Sequence, residues 1–268
     1  MKQSNSIRLA KCLAKNKNKT ILSPYITAGY PSKDSTVPLM HEMVKAGCDV
    51  IELGIPFSEP MAEGIVIQGA MEVALANNTS IFDVLKMVTQ FREQDPNTPI
   101  ILMGYMNPIE QIGFESFAKL ACTAGVDGTL IVDLPPEEAN EMFEIWSNNN
   151  LDPILLCSPT TSEQRMALIA KHASGYVYYV SLKGVTGSKS LDIEDVKKHY
   201  LARKSILADI AVFVGFGIKS SSDAASLAQF ADGVVIGAAL IEKISDPEYA
   251  IQACYNFLHP IKQTLKNT

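Results

Sequence analysis

Three carboxylates, Glu52, Glu59 and Glu63, fall within residues 51–68, which read IELGIPFSEPMAEGIVIQ. Glu52 lies inside an apolar run that starts at Val50 and ends at Ile55. A carboxylate in a run of strand composition is costly to ionise, so it holds its proton to a higher pH. A carboxyl poised between acid and base is what proton transfer requires. Glu59 and Glu63 belong to a segment punctuated by Pro56, Pro60 and Gly64 and read as a loop. Carboxylates there are solvated by default, but Glu63 follows a Pro-Met-Ala turn able to fold it back over a neighbouring site.

The elements that must position these groups follow from the hydrophobic pattern. Short β-branched runs at 21–27, 50–53, 100–104, 128–132, 153–157, 176–181, 211–215 and 233–236 read as strands. Amphipathic stretches at 37–46, 81–93, 114–124, 137–148, 162–172, 193–201, 221–228 and 248–265 read as helices. Strand–helix alternation of this kind points to a closed parallel α/β barrel, the (β/α)8 or TIM barrel. The whole of 1–268 reads as a single domain, with an extra N-terminal helix near 6–14 plugging the barrel bottom. An open doubly wound sheet is the alternative, but a GxGxxG after an early strand is absent.

Composition narrows the function classes. A net charge of −6 without a broad basic stripe argues against nucleic acid as a partner. The longest apolar runs, such as 234–241, are far too short to span a membrane, and residues 1–20 lack the apolar core of a signal peptide. Five scattered cysteines, never in CxxC spacing, read as reduced, buried thiols of a cytoplasmic protein. Cys157 alone lies near a strand end, where a nucleophile would sit, but no histidine is close to it in sequence. His41, His172, His199 and His259 all fall in or beside predicted helices, away from the strand exits. A histidine acid–base pair or a metal site is therefore not expected, and carboxylates must carry the proton.

Barrel chemistry sits where strands end. Side chains alternate along a strand, so Ile51, Leu53 and Ile55 face the helices, and Val50, Glu52 and Gly54 face the axis. Glu52 is then an axial carboxyl near the mouth; the competing reading is a structural carboxylate bonded to a neighbouring strand. Gly187, Gly217 and Gly237 follow the sixth, seventh and eighth strands, where backbone N–H groups and a short helix can hold a phosphate without arginine.

Several segments carry a specific resemblance. PYITAGYPS (24–32), IELGIPFSEPMAEG (51–64), GYMNPI (104–109), GVDGTLIVDLPPEE (125–138), SLKGVTG (181–187), GFGI (215–218) and GAAL (237–240) occur in this order. The chain resembles the tryptophan synthase alpha-subunit family nearly end to end. That resemblance implies a barrel that cleaves indole-3-glycerol phosphate by a retro-aldol step, without metal or organic cofactor. It implies Glu52 as the acid–base carboxyl and Glu63 as the residue that holds the indole nitrogen. It implies an indole pocket of Tyr25, Met103, Leu130, Leu156, Tyr178 and Phe216. Thr186 and Gly187 match a lid over 183–190, and Gly217, Gly237 and Ala238 match the phosphate site. It also implies a complex of two alpha and two beta subunits, with contacts from loops 59–61, 105–108 and 134–136.

The chain departs from the expected pattern at four places. Glu63 stands where Asp is frequent, Ile65 where proline is usual, Leu182 where some members carry arginine, and Ala238 where serine is frequent. Ile65 is expected to loosen its loop. Two other functions remain open on the sequence: a phosphate-handling isomerase on the same barrel, and an inactive or weakly active alpha subunit that mainly activates beta.

Overall fold

The computed structural model describes residues 4–181, 193–215 and 217–267. Among these, nine strands pair in parallel throughout. They are β1 (Ile21–Thr27), β2 (Ile51–Gly54), β3 (Ile100–Gly104), β4 (Gly128–Ile131), β5 (Asp152–Pro153), β6 (Leu155–Cys157), β7 (Tyr176–Val180), β8 (Ala211–Gly215) and β9 (Gly233–Ile236). The order is β5-β4-β3-β2-β1-β9-β8-β7-β6. β5 and β6 are two halves of one extended segment. Its first half pairs with β4 and its second with β7, so the sheet closes into an α/β barrel. Eight strands were expected and nine arise because the fifth changes partner at Ile154, whose N–H still donates to Thr129 O of β4 at 2.9 Å.

Helix α1 (Ile7–Lys15) precedes the barrel. Its Leu9 is fully buried among Ile21, Val50, Ile101 and Tyr176 on the axis, as a bottom plug requires. The outer layer holds α2 (Thr36–Ala46), α3 (Ile65–Ala76), α4 (Ile81–Arg92), α5 (Met106–Ile112), α6 (Phe114–Ala124) and α7 (Asn140–Asn148). It continues with α8 (Glu163–His172), α9 (Ile193–Leu207), α10 (Ser221–Ala228), α11 (Ala238–Lys243) and α12 (Ala250–Lys266). Three of these were not expected from sequence: α3, α5 and α11. α3 opens with Ile-Val-Ile and contains Gly69, which hides its helical period. α5 and α11 are too short to show one.

The core has two parts. Ile51, Leu53 and Ile55 pack outward against the helices, and Val50 packs inward with the axial set, as alternation requires. At the bottom rim, Asp49, Asp127 and Asp232 recur as one device. Each precedes a strand and accepts the first or an early N–H of the strand beside it, from Leu22 (2.9 Å), Ile100 (2.8 Å) and Val212 (2.7 Å) respectively. Each also meets a cation: Lys262, the Arg8–Arg92 pair, and Lys204. These staples lie at the end of the barrel away from the strand exits, so they fix the strands without entering the site.

Candidate active site

β1 and β2 present the centre of the pocket. Their register sets Tyr25 beside Glu52, and Gly54 lies beside Met103 of β3. Met103 pairs with Leu130 of β4, and Leu156 of β6 pairs with Tyr178 of β7. Alternation turns all of these toward the axis, above the layer of Val50, Ile101 and Phe213. Two glycines make the ring possible. A Cβ at Gly54 would overlap the Tyr25 hydroxyl, and one at Gly215 would overlap that of Tyr178. Tyr25 is not wholly apolar lining, since its hydroxyl shares a hydrogen bond of 3.1 Å with Thr27 Oγ1.

Glu52 is 0 % exposed. Its Oε1 accepts from Tyr176 OH at 2.7 Å and from Ser23 Oγ at 3.2 Å. Its Oε2 is buried without a protein partner among the described residues. Burial raises the carboxyl from 4.5 to about 7; the bonds from Tyr176 and Ser23 oppose that rise and the nearby Glu63 adds to it. Desolvation wins because two hydroxyl donors replace less solvation than water supplied. The expectation from sequence therefore holds in direction: this carboxyl exchanges its proton near neutral pH.

Glu63 is half-buried, and burial lifts its carboxyl from 4.5 to about 7 as well. It lies close enough to Tyr25, Tyr105, Tyr178 and Glu52 to disfavour negative charge on each of them. The expected turn forms: Glu63 N–H donates to Pro60 O at 3.0 Å. Two further bonds pin it, Ala62 N–H to Tyr105 OH (3.0 Å) and Gln68 Nε2 to Glu63 O (2.7 Å). Tyr105 in turn stacks on Phe57, with centroids 5.1 Å apart. Ile65 is thus the first residue of α3, after Gly64 as N-cap, rather than part of a loop. That position is where proline is favoured in helices generally, and the segment before it is held by the bonds above.

Gly217 and Gly237 lie two residues beyond the paired residues Gly215 and Val235, on the adjacent strands β8 and β9. Gly217 has φ +23°, and Gly237 caps α11, whose first residue is the exposed Ala238. Gly237 also approaches Tyr25 and Ile67: a Cβ there would stand 3.6 Å and 3.5 Å from their carbons. Of the residues expected in the site, Thr186, Gly187 and Phe216 lie outside the described residues, as do the lid at 183–190 and Leu182. Ser23, Tyr176 and Ile67 escape a reading confined to strand ends. By alternation Ser23 shares the face of Tyr25 and of Thr27, the last residue of β1. Ile67 belongs to the helix whose period was hidden.

Other expectations are corrected or placed. Tyr105 and Pro136, counted among the contact loops, are buried and so serve the site and core; Glu59, Met61 and Asn107 are exposed. Cys157 is buried, and burial pushes its thiol up to about 12, which removes it as a nucleophile. The four histidines sit in α2, α8, α9 and α12, away from the mouth. Among the described residues no group of three or more His, Cys, Asp or Glu side chains could hold a metal ion, and no helix is long and apolar enough to cross a membrane.

Comparison with known proteins gives one result. Residues 9–267 match the family model described as tryptophan synthase alpha chain. The tryptophan synthase alpha chain of Legionella pneumophila strain Lens is 54% identical over 266 residues, covering 97% of each chain. That of Marinobacter nauticus is 48% identical over 255 residues, 94% of each. Among solved structures, tryptophan synthase subunit alpha from Legionella pneumophila strain Paris superposes with a TM-score of 0.91 at 51% identity, over 97% of this chain and 99% of that one. A chain from the tryptophan synthase a2b2 complex of Pyrococcus furiosus does so at 0.85 and 35% identity, over 91% and 98%.

Proposed function

The chain belongs to the tryptophan synthase alpha chain family, and on that premise we propose the roles its residues take. It is the carbon–carbon lyase that cleaves indole-3-glycerol phosphate to indole and glyceraldehyde 3-phosphate in tryptophan biosynthesis. It works with the beta subunit in a complex of two alpha and two beta chains. Residues 1–268 act as one barrel domain, in the cytoplasm.

The retro-aldol step moves one proton. C3 of the indole ring gains a proton, the hydroxyl on the adjoining glycerol carbon loses one, and the bond between the two carbons breaks. Its electron pair returns to the ring while the hydroxyl oxygen becomes the aldehyde. A carboxyl near neutrality is matched to both halves of that exchange. Glu52 is that group; the single observation carrying this reading is its full burial with a carboxyl raised to about 7. Glu63 accepts the ring N–H and, ionised, stabilises the positive charge that develops on protonation at C3. Binding a ring that donates a hydrogen bond favours the ionised form of Glu63, against the burial that raises it in the free protein.

Tyr25, Met103, Leu130, Leu156, Tyr178 and Phe216 enclose the indole ring. Gly217, Gly237 and Ala238 take the phosphate through backbone N–H groups, and Gly187 and Thr186, outside the described residues, are assigned to the same substrate by the family match. The Ala238 N–H lies in the first turn of α11, where no intrahelical acceptor exists, so a serine there is not required for the backbone contact. The reaction needs no cofactor on this scheme.

Indole release from indole-3-glycerol phosphate, with and without the cognate beta subunit, tests the proposal. The expected outcome is measurable release by the isolated chain and a faster rate with beta. Normal activation of beta alongside no detectable release in either state would leave the activator role instead.

A further inference from the structure

The barrel axis below the pocket is apolar: Ile21, Val50, Ile101, Phe213 and Val235 pack together there. Ser23 and Tyr176 break that layer with hydroxyls that are 0 % exposed. A buried hydroxyl costs stability unless it is bonded, and an alanine or valine would fill a strand position in this layer without that cost. Both hydroxyls spend their bonds on the same atom, Glu52 Oε1 (2.7 Å from Tyr176, 3.2 Å from Ser23). The terminal torsion of a glutamate is broad and two-fold, so its oxygens exchange places unless something distinguishes them. Here both donors act on Oε1, and Oε2 has no protein partner among the described residues.

We propose that Ser23 is a positioning residue for proton transfer: with Tyr176 it fixes Oε1 of Glu52 and leaves Oε2 as the oxygen that exchanges the proton with substrate. The inference rests on the reading of Glu52 as the acid–base carboxyl. Tyr176 also stacks on Phe213, with centroids 3.9 Å apart, so its ring serves packing; Ser23 acts through its hydroxyl alone, which is in hydrogen-bond contact with Tyr176 as well as with Glu52. The groups facing Glu52 are Ser23 and Tyr25 on β1, Tyr176 and Tyr178 on β7, and Glu63 across the mouth. Of these only Ser23 and Tyr176 donate to it, and a donor to a carboxylate favours the ionised form.

The pH profile of kcat at saturating substrate tests this for the full chain, its Ser23→Ala variant and its Ser23→Thr variant. In Ser23→Ala the limb belonging to Glu52 moves up by about half to one pH unit, because one donor to the carboxylate is gone. kcat falls by about tenfold from lost orientation, while KM changes by less than about twofold. Ser23→Thr keeps the hydroxyl and returns the limb to its wild-type position. If Ser23→Ala does not fold, Ser23→Cys replaces it: the thiol is a weak donor of similar size, and the same upward shift is expected. A limb near neutrality in the wild type that neither variant moves overturns the proposal. A wild-type profile with no such limb overturns the reading of Glu52 beneath it.

Discussion

At the scale of the residue, Glu52 and Glu63 share an electrostatic cost of burial. Each carboxyl is raised from 4.5 to about 7 in the folded protein. Between those values the native state binds more protons than the unfolded chain. The sign follows: this contribution favours folding below about pH 4.5 and is lost as pH rises through about 7. Glu52→Gln keeps the shape and removes the buried charge, so its urea midpoint should exceed the wild type at about pH 8, with the gain shrinking at about pH 5.5. An equal effect at both pH values would mean that Glu52 is not neutralised on burial. Glu63→Gln keeps a hydrogen-bond acceptor for the ring N–H and loses the charge. A drop in kcat of about 10²–10³ with KM little changed is expected from steady-state indole formation. Much of this scale was legible beforehand. Glu52 stood out because a charge interrupted an apolar run, and alternation aimed it inward. Ser23 and Tyr176 were not legible, because a serine or tyrosine in a strand carries no charge to flag it, and the bond joins segments far apart in the chain.

At the scale of the element, the barrel separates what holds it from what works. The aspartate staples lie at the bottom, and the carboxyl pair at the top. Asp127 is fully buried and bonds Arg8, Arg92, Ser6 and the N–H of Ile100. Asp127→Ala removes the carboxylate partner of Arg8 and Arg92, leaving them only backbone carbonyl acceptors, and should cost about 3 kcal/mol, read from the denaturant midpoint. The folded fraction should retain the wild-type pH profile of kcat; a shifted profile would mean that the bottom rim is coupled to the site. The strands and most helices could be read from period and composition. β1, β3, β8 and β9 begin and end where expected. α9 extends to Leu207 rather than stopping near 201, and α7 starts at Asn140 rather than near 137. Helix ends depend on packing partners that pattern does not contain. The cost of missing α3 was larger, because that helix fixes the turn bearing Glu63 and supplies Ile67 near Gly237.

At the scale of the whole molecule, the mouth of the barrel must serve both a substrate and a partner. Met61 and Ile65 are 84% and 87% exposed beside the turn that carries Glu63. Large apolar side chains so exposed at the rim of the site make Met61 and Ile65 candidates for the beta-subunit interface. Met61→Ala should weaken association with the cognate beta subunit by about tenfold, measured by titration calorimetry, and change the isolated chain's indole release by less than about threefold. Unchanged affinity would place the interface elsewhere on the rim. The family was legible in the ordered motifs; which of their residues face the partner was not, since Tyr105 and Pro136 turn inward.

The central claim is that one buried carboxyl both gives and takes the proton. Single-turnover indole release by Glu52→Gln, with beta present and substrate saturating, tests it most directly. A rate lower than the wild type by about 10³ or more, with substrate binding retained, is the predicted result. Release within about tenfold of the wild-type rate would contradict it.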